Sequence, residues 1–368
     1  MNEALSLLEL AAPGVRGLKP YEPGKPLSEL EREYGVRDAV KLASNENPLG
    51  PGPLALEAVR AVLPELSRYP DGNGFALKAA LAERHGVTPA QITLGNGSND
   101  VLELMARVFL APGRESVFAE HAFAVYPIVT QAAGARPVVV PAREYGHDLP
   151  AMAEQVGERT GLVFVANPNN PTGTWVDRES LRAFLDRIPS HVPVIVDEAY
   201  AEYVQEPGYP DATAWVDDHP NLVVTRTFSK AYGLAGLRVG YAVSRPGIAD
   251  LLNRVRQPFN VNAPAQAAAL AALEDTDHLA RSIALNRDGL DQLTAGFARL
   301  GLTWIPSVAN FVSVDVGRPG GPVYEALLRE GVIVRPVGGY GLPNHLRATV
   351  GLPEENQRLL GALQRVLI

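Results

Sequence analysis

Apolar residues follow two alternating rhythms along this chain. Short runs rich in Val, Ile and Phe (SVFAE, RPVVVP, GLVFVANP, VPVIVDEAY, NLVVTRTFS, VGYAVS) are separated by stretches with three-to-four spacing, among them LALEAVRAVL (Leu54–Leu63), FALKAALAERHG and DRESLRAFLDRI. Continuous β-branched runs predict strands and the wider spacing predicts helices. Asp177 is placed to cap one helix and Gly86 to close another. Strands without a polar face, alternating with helices, predict an α/β fold whose mostly parallel sheet is covered on both sides. From about Asn262 the rhythm changes. An alanine-rich helix (APAQAAALAALED) and charged helical sequence through Arg299 precede WIPSVANFVSVDV, GVIVRPVGGYGLPN, HLRATVG and a terminal helix, which reads as a smaller α+β domain. LKPYEPGKP (Leu18–Pro26) holds three prolines and predicts an extended arm. The expected organisation is an arm over residues 1–45, a large domain over 46–261 and a small domain over 262–368.

Polar, turn-rich clusters follow four of the strands: GNGSND after QITL, NPNNPTG after GLVFVA, DEAY after VPVIV, and TFSK after NLVV. Ligands of parallel sheets gather beyond the carboxyl ends of the strands. Gly97, Ser98 and Asn99 open a helix and offer backbone N–H groups to an anion. Asp100 stands where a dinucleotide fingerprint needs its third glycine. In the stretch Thr225–Tyr241, Lys230 follows Ser229 and precedes Arg238 by eight positions. A lysine whose amine is partly desolvated forms Schiff bases with carbonyl groups, while Thr227, Ser229 and Arg238 supply donors for an anionic group. Asp197 ends an apolar strand, where a buried carboxylate needs a partner. Paired with the nitrogen of a pyridine cofactor, it would make the ring an electron sink. At ~4 Å and an effective dielectric of ~20, such a pair is worth ~4 kcal/mol. Asn170 and Tyr200 would donate to the ring's phenolic oxygen, and Phe123 in HAFAVYP would stack on its face. Taken singly these residues have ordinary explanations: a loop lysine, a salt-bridged aspartate, a core phenylalanine. Together they describe one site.

Composition narrows the class. The chain has 368 residues, 46% of them hydrophobic and 20% charged, a net charge of -8 and no cysteine. It is long enough for two domains. The acidic balance argues against a general nucleic-acid binder, and the absence of thiols fits a reducing compartment. Met1–Leu10 carries Glu3 and Glu9 without a basic leader, and no apolar run approaches the ~18 residues of a membrane span. The expectation is a cytoplasmic protein that binds neither membrane nor nucleic acid. The seven histidines show no ligand spacing, so no metal is assigned.

In order and spacing, GNGSND, NPNNPTG, DEAY and TFSKAYGLAGLRVGY resemble the pyridoxal 5'-phosphate (PLP)-dependent aminotransferases of fold type I, over nearly the whole chain. Within them YEPGKP, KLASNENPLGP, RYPDG and GVIVRPVGGYGLPNHLRATVG are similar to the histidinol-phosphate aminotransferase family. The resemblance implies reversible amino transfer between histidinol phosphate and 2-oxoglutarate in histidine biosynthesis. It makes Lys230 the covalent attachment and proton carrier, Asp197 the partner of the ring nitrogen, Asn170 and Tyr200 the partners of the phenolic oxygen, and Phe123 the ring cover. Cofactor phosphate falls to Ser98, Asn99, Thr227, Ser229 and Arg238, with Tyr69 reaching in from a second subunit of a homodimer. Arg347 receives the donor's carboxylate or the other substrate's phosphate, with Arg335 and Tyr21 as further phosphate contacts and Asn170 beside the substrate. Position 123, often tyrosine in the family, is phenylalanine here, which keeps stacking and loses a hydroxyl. Competing readings are an aromatic-amino-acid aminotransferase, a PLP-dependent decarboxylase of a phosphorylated amino acid, and a non-enzymatic binding module.

Overall fold

The structure, a computed structural model, describes residues 7–21 and 24–367. Part of the amino-terminal reading over Met1–Leu10, including Glu3, and the Glu22–Pro23 portion of the arm lie outside the described residues. The strands are β1 (Val40–Lys41), β2 (Ile92–Gly95), β3 (Glu115–Ala119), β4 (Arg136–Val140), β5 (Thr160–Ala166), β6 (Val194–Asp197), β7 (Leu222–Thr227), β8 (Gly240–Ser244), β9 (Thr303–Ile305), β10 (Phe311–Asp315), β11 (Val332–Ile333), β12 (Arg335–Pro336) and β13 (His345–Thr349). Seven of them form one sheet in the order β2-β8-β7-β6-β5-β3-β4. All its pairs are parallel except those of β8, which runs against both neighbours. The strands read as unbroken apolar runs because each face has its own core. Val163, Val165, Val194, Val196 and Val224 pack on one side, and Leu162, Phe164, Ile195 and Val223 on the other.

The remaining strands make a four-stranded antiparallel sheet, β12-β13-β10-β9, and a parallel pair of β1 with β11. Their core joins Val312, Val314, Leu346 and Ala348 to Leu293 and Phe297 of the long helix Thr276–Arg299, and to Leu359 and Leu363 of the last helix. Leu42 belongs to that core as well, so the segment expected as part of a separate arm is anchored in the small unit. The alanine-rich helix Ala263–Glu274 goes the other way. Its Ala265, Ala268, Ala269, Ala272 and Leu273 are buried in the large core, because small side chains allow close helix approach. The composition shift at residue 262 therefore marks a tightly packed helix, and we propose that the change of unit falls inside Thr276–Arg299, whose Leu279 still packs on the large core.

Successive side chains at the ends of β6 and β7 point to opposite faces. Asp197 and Thr227 line the cavity described below, Thr225 lies buried against Asp197, and Glu198 and Arg226 form a pair on the far side. Glu198 accepts bonds from Arg226 Nε (2.9 Å) and Nη2 (2.6 Å), and Arg226 also reaches Asp211 at 2.9 Å. Breaking a buried ion pair from one side leaves an uncompensated charge that costs about 3–5 kcal/mol. Arg226→Met is expected to destabilise by that amount; a denaturant midpoint equal to wild type would show that the pair does not brace these strand ends.

Candidate active site

A cavity of about 260 Å³ opens at the carboxyl ends of the central strands. Every residue expected to serve the site lines it except Tyr69: Tyr21, Ser98, Asn99, Phe123, Asn170, Asp197, Tyr200, Thr227, Ser229, Lys230, Arg238, Arg335 and Arg347. Tyr69 lies outside, 82% exposed and stacked on Phe259 at 4.6 Å between ring centroids. Within one chain it does not join the others.

One cluster of donors is built where β7 meets the helix Ser98–Phe109. The Ser229 N–H donates to Thr227 Oγ1 (3.1 Å), and Arg238 Nη1 donates to Ser229 Oγ (3.4 Å). Two glycines permit this approach. A Cβ at Gly97, whose φ is 81°, would run into the Arg238 guanidinium, and one at Gly240 into the backbone nitrogen of Ser98. Helix N-terminus, hydroxyls and guanidinium together offer a set of donors that could hold a phosphate group.

Asp197 is 6% exposed, and both its oxygens accept bonds: Oδ2 from the Tyr126 hydroxyl and Oδ1 from the Thr225 hydroxyl, each at 2.9 Å. Burial pushes its carboxyl above the usual range while the two hydroxyls pull it back. Tyr126 is fully buried, stacked on Phe164 at 4.5 Å and set edge-on to Phe123 at 5.9 Å. Lys230 Nζ donates to the Ser44 carbonyl at 3.1 Å. Withdrawal from water, reinforced by the charge of Arg347, brings its pKa down to about 7. Burial pushes the Tyr200 hydroxyl up to about 12, against the pull of Arg347 and a bond from Asn45.

The depressed lysine has a consequence for stability. Below pH 7 both folded and unfolded chains hold the proton, so the penalty of burying the ammonium is complete. Between 7 and the ordinary lysine value only the unfolded chain holds it, and stability rises with pH until the penalty is gone. In cofactor-free protein, Lys230→Met is expected to raise Tm most below pH 7 and progressively less toward pH 10.5. A Tm difference independent of pH would contradict a buried, depressed amine.

Arg347 stands on β13, 6% exposed. Its Nη1 donates to Asn170 Oδ1 (2.5 Å), its Nη2 to the Ala43 carbonyl (2.6 Å), and the group lies over the Phe311 ring at 5.3 Å. Nε is buried without a hydrogen-bond partner. Arg335 lies over the ring of Tyr21 at 5.6 Å. The lining therefore carries Lys230, Arg238, Arg335 and Arg347 against Asp197 and Glu46. This surplus of cations, with an orphaned guanidinium N–H, suits ligands that bring phosphate and carboxylate groups. A buried amine beside a buried carboxylate suits an aldehyde-bearing pyridine, so the residues present fit PLP.

The sequence alone assigns no role to Tyr126, Thr225 or the carbonyls of Ala43 and Ser44, and Asn45 reads only as a turn former in a loop of the kind that borders a cleft. Tyr126 was within reach, since it lies three residues after Phe123, about one helical turn. Among the described residues no helix is long and apolar enough to cross a membrane, and no His/Cys/Asp/Glu group is arranged to hold a metal ion.

The profile of the aminotransferase class I and II family matches residues 37–363. The chain belongs to that family. Among curated relatives it is 63% identical to histidinol-phosphate aminotransferase 2 of Pseudomonas fluorescens, covering 98% of each chain. It is 60% identical to histidinol-phosphate aminotransferase 1 of Nitrosococcus oceani, over 100% of this chain and 99% of that one. Among solved structures, histidinol-phosphate aminotransferase from Sinorhizobium meliloti, crystallised with pyridoxal-5'-phosphate, superposes with a TM-score of 0.90 at 32% identity over 97% of both chains. A double mutant of Thermus thermophilus aspartate aminotransferase gives 0.84 at 25% identity, over 99% of this chain and 100% of that one. The aminotransferase thus has the fold type I architecture expected from its motifs.

Proposed function

We propose that this aminotransferase uses PLP to exchange an amino group between histidinol phosphate and 2-oxoglutarate in histidine biosynthesis, as a cytoplasmic homodimer whose Tyr69 reaches the partner's cavity. The observation that carries the reading is a single cavity in which Lys230 and Asp197 meet Arg347, Arg335 and Tyr21, in a chain 63% identical to a full-length relative named for this reaction. A monomer found by sedimentation at assay concentration would remove the dimer from it.

When bound, PLP supplies an electron sink for the substrate's α-carbon. Lys230 Nζ would hold the cofactor covalently and, once the substrate's amine displaces it and frees it as an amine, its proton affinity lowered to near neutrality would suit it to take and return the proton at the substrate's amine-bearing carbon. Asp197, held by Tyr126 and Thr225, keeps the ring nitrogen protonated. Arg347 occupies Asn170 Oδ1, so the Asn170 amide nitrogen is the atom that donates to the phenolic oxygen, together with the Tyr200 hydroxyl. Phe123 covers the ring face. Ser98, Asn99, Thr227, Ser229 and Arg238 bind the cofactor phosphate. Arg347 takes the glutamate carboxylate or, with Arg335 and Tyr21, the histidinol phosphate group; a planar guanidinium fork accepts either anion.

The test is a half-reaction titration that follows the cofactor's absorbance as histidinol phosphate, phenylalanine and glutamate are added in turn. Conversion by histidinol phosphate and glutamate, with phenylalanine much slower, is expected. Faster conversion by phenylalanine would favour the aromatic alternative, released carbon dioxide would favour a decarboxylase, and a colourless protein would leave only a binding module.

A further inference from the structure

We infer that Asn45 is a positioning residue for the cofactor site, its side-chain amide turning the Tyr200 hydroxyl so that the proton points at an acceptor inside the cavity. The inference rests on the function proposed above, which makes that acceptor the phenolic oxygen of PLP.

Three consecutive residues of the segment after β1 each hold one working group of the site. The Ala43 carbonyl accepts from Arg347 (2.6 Å), the Ser44 carbonyl from Lys230 (3.1 Å), and Asn45 Nδ2 donates to Tyr200 Oη (2.9 Å). The orientation of the Asn45 amide is forced by its other bonds. The Thr349 hydroxyl oxygen accepts from the Asn45 backbone N–H at 2.9 Å, so its own proton goes to Asn45 Oδ1 at 3.1 Å. With Oδ1 engaged, the nitrogen end of the amide must face Tyr200. Asn310 Nδ2 donates to the Asn45 carbonyl at 3.0 Å, so every polar group of Asn45 is committed. The residue is 1% exposed and adopts φ 54°, in the left-handed region where asparagine is enriched.

The chemistry follows from donor and acceptor roles. Tyr200 Oη accepts a hydrogen bond from Asn45 Nδ2, so its own O–H has to donate elsewhere. Tyr200 lies against the edge of Phe311 and beneath Lys230 Nζ, 5.8 Å from its ring centroid, and the open direction is the cavity it lines. Without Asn45 the hydroxyl rotates among partners. A phenolic oxygen deprived of a steady donor carries more negative charge and raises the proton affinity of the Lys230 nitrogen attached beside it. The charged and titratable groups facing Tyr200 and Lys230 are Arg347, Asp197, Tyr340, Arg238, Glu46 and Lys41, and substitution of Asn45 removes none of them.

The experiment is a pH titration of the bound cofactor's visible absorbance in wild type, Asn45→Gly, Tyr200→Phe and the double variant, with the PLP dissociation constant measured for each. Glycine keeps the left-handed backbone and removes only the amide. Asn45→Gly is expected to move the midpoint upward by at least about half a pH unit, the scale of one neutral hydrogen bond. Tyr200→Phe should move it further in the same direction, and the double variant should match Tyr200→Phe alone, because Asn45 acts through the hydroxyl. Thr349→Val, which frees the amide to turn, should give a smaller upward shift and stands in if Asn45→Gly does not fold. Unshifted midpoints with normal cofactor content, or a double variant whose shift is the sum of the two, would overturn the inference while leaving the proposed function intact. A wild-type protein that takes up no PLP would overturn both.

Discussion

Lys230→Ala is expected to lower the rate of amino transfer by roughly 10⁴-fold or more, the upper end of what one positioned base contributes. The reason is structural. Among the described residues no second lysine lines the cavity, and the amine at 230 combines a bond to the Ser44 carbonyl with a pKa brought down to about 7. A neutral amine at physiological pH is both the form that condenses with an aldehyde and the form that accepts a proton from carbon. Single-turnover mixing with histidinol phosphate measures the step directly. Partial recovery by an added small primary amine would show that the loss is of the base and not of the fold. A variant retaining near-normal turnover would end the mechanism.

Arg347→Ala should depress both half-reactions, each by about 10²- to 10³-fold in kcat/KM, the range set by losing a buried charge-assisted contact. Arg347→Lys should recover little. The guanidinium is already held through Nη1 to Asn170 and Nη2 to Ala43, and an ammonium has neither the reach nor the fork to keep those bonds and grip an anion as well. The variant also releases Asn170, so part of the loss should appear with substrates that lack a carboxylate. Stopped-flow measurement of glutamate and histidinol phosphate separately decides the matter. A defect limited to one of them would mean that the two anions are received at different places.

The large sheet was legible because a strand buried on both faces has no polar positions to confuse its reading. GLVFVA and VPVIV were unmistakable, and their polar ends named Asn170 and Asp197 directly. Arg238 and Ser98 came from the same source, since hydroxyls, glycines and a guanidinium cluster where a phosphate is to be held. The alanine-rich helix after residue 262 reads as the start of the small unit because alanine enrichment signals close helix packing without saying on which core, and its buried face lies on the large one. Asn45, Ser44 and Ala43 escaped for a different reason. Two of the three act through backbone carbonyls, which carry no side-chain signature, and the third sits in a loop whose asparagines read equally well as turn formers. Tyr69 stays apart from its expected partners in one chain, since its proposed role needs a second.

Arg335 and Arg347, the two arginines proposed to receive substrate anions, ride on β12 and β13 of the small sheet, whereas Asp197 and Lys230 lie at the ends of β6 and β7 of the large one. On that proposal recognition and reactivity start from different sheets and meet through shared contacts, Arg347 with Asn170 and Thr349 with Asn45. Exchanging the stretch from Arg335 to Thr349 for that of a relative would therefore reach both, because Arg347 also helps to depress the Lys230 amine and Thr349 holds the Asn45 amide that faces Tyr200.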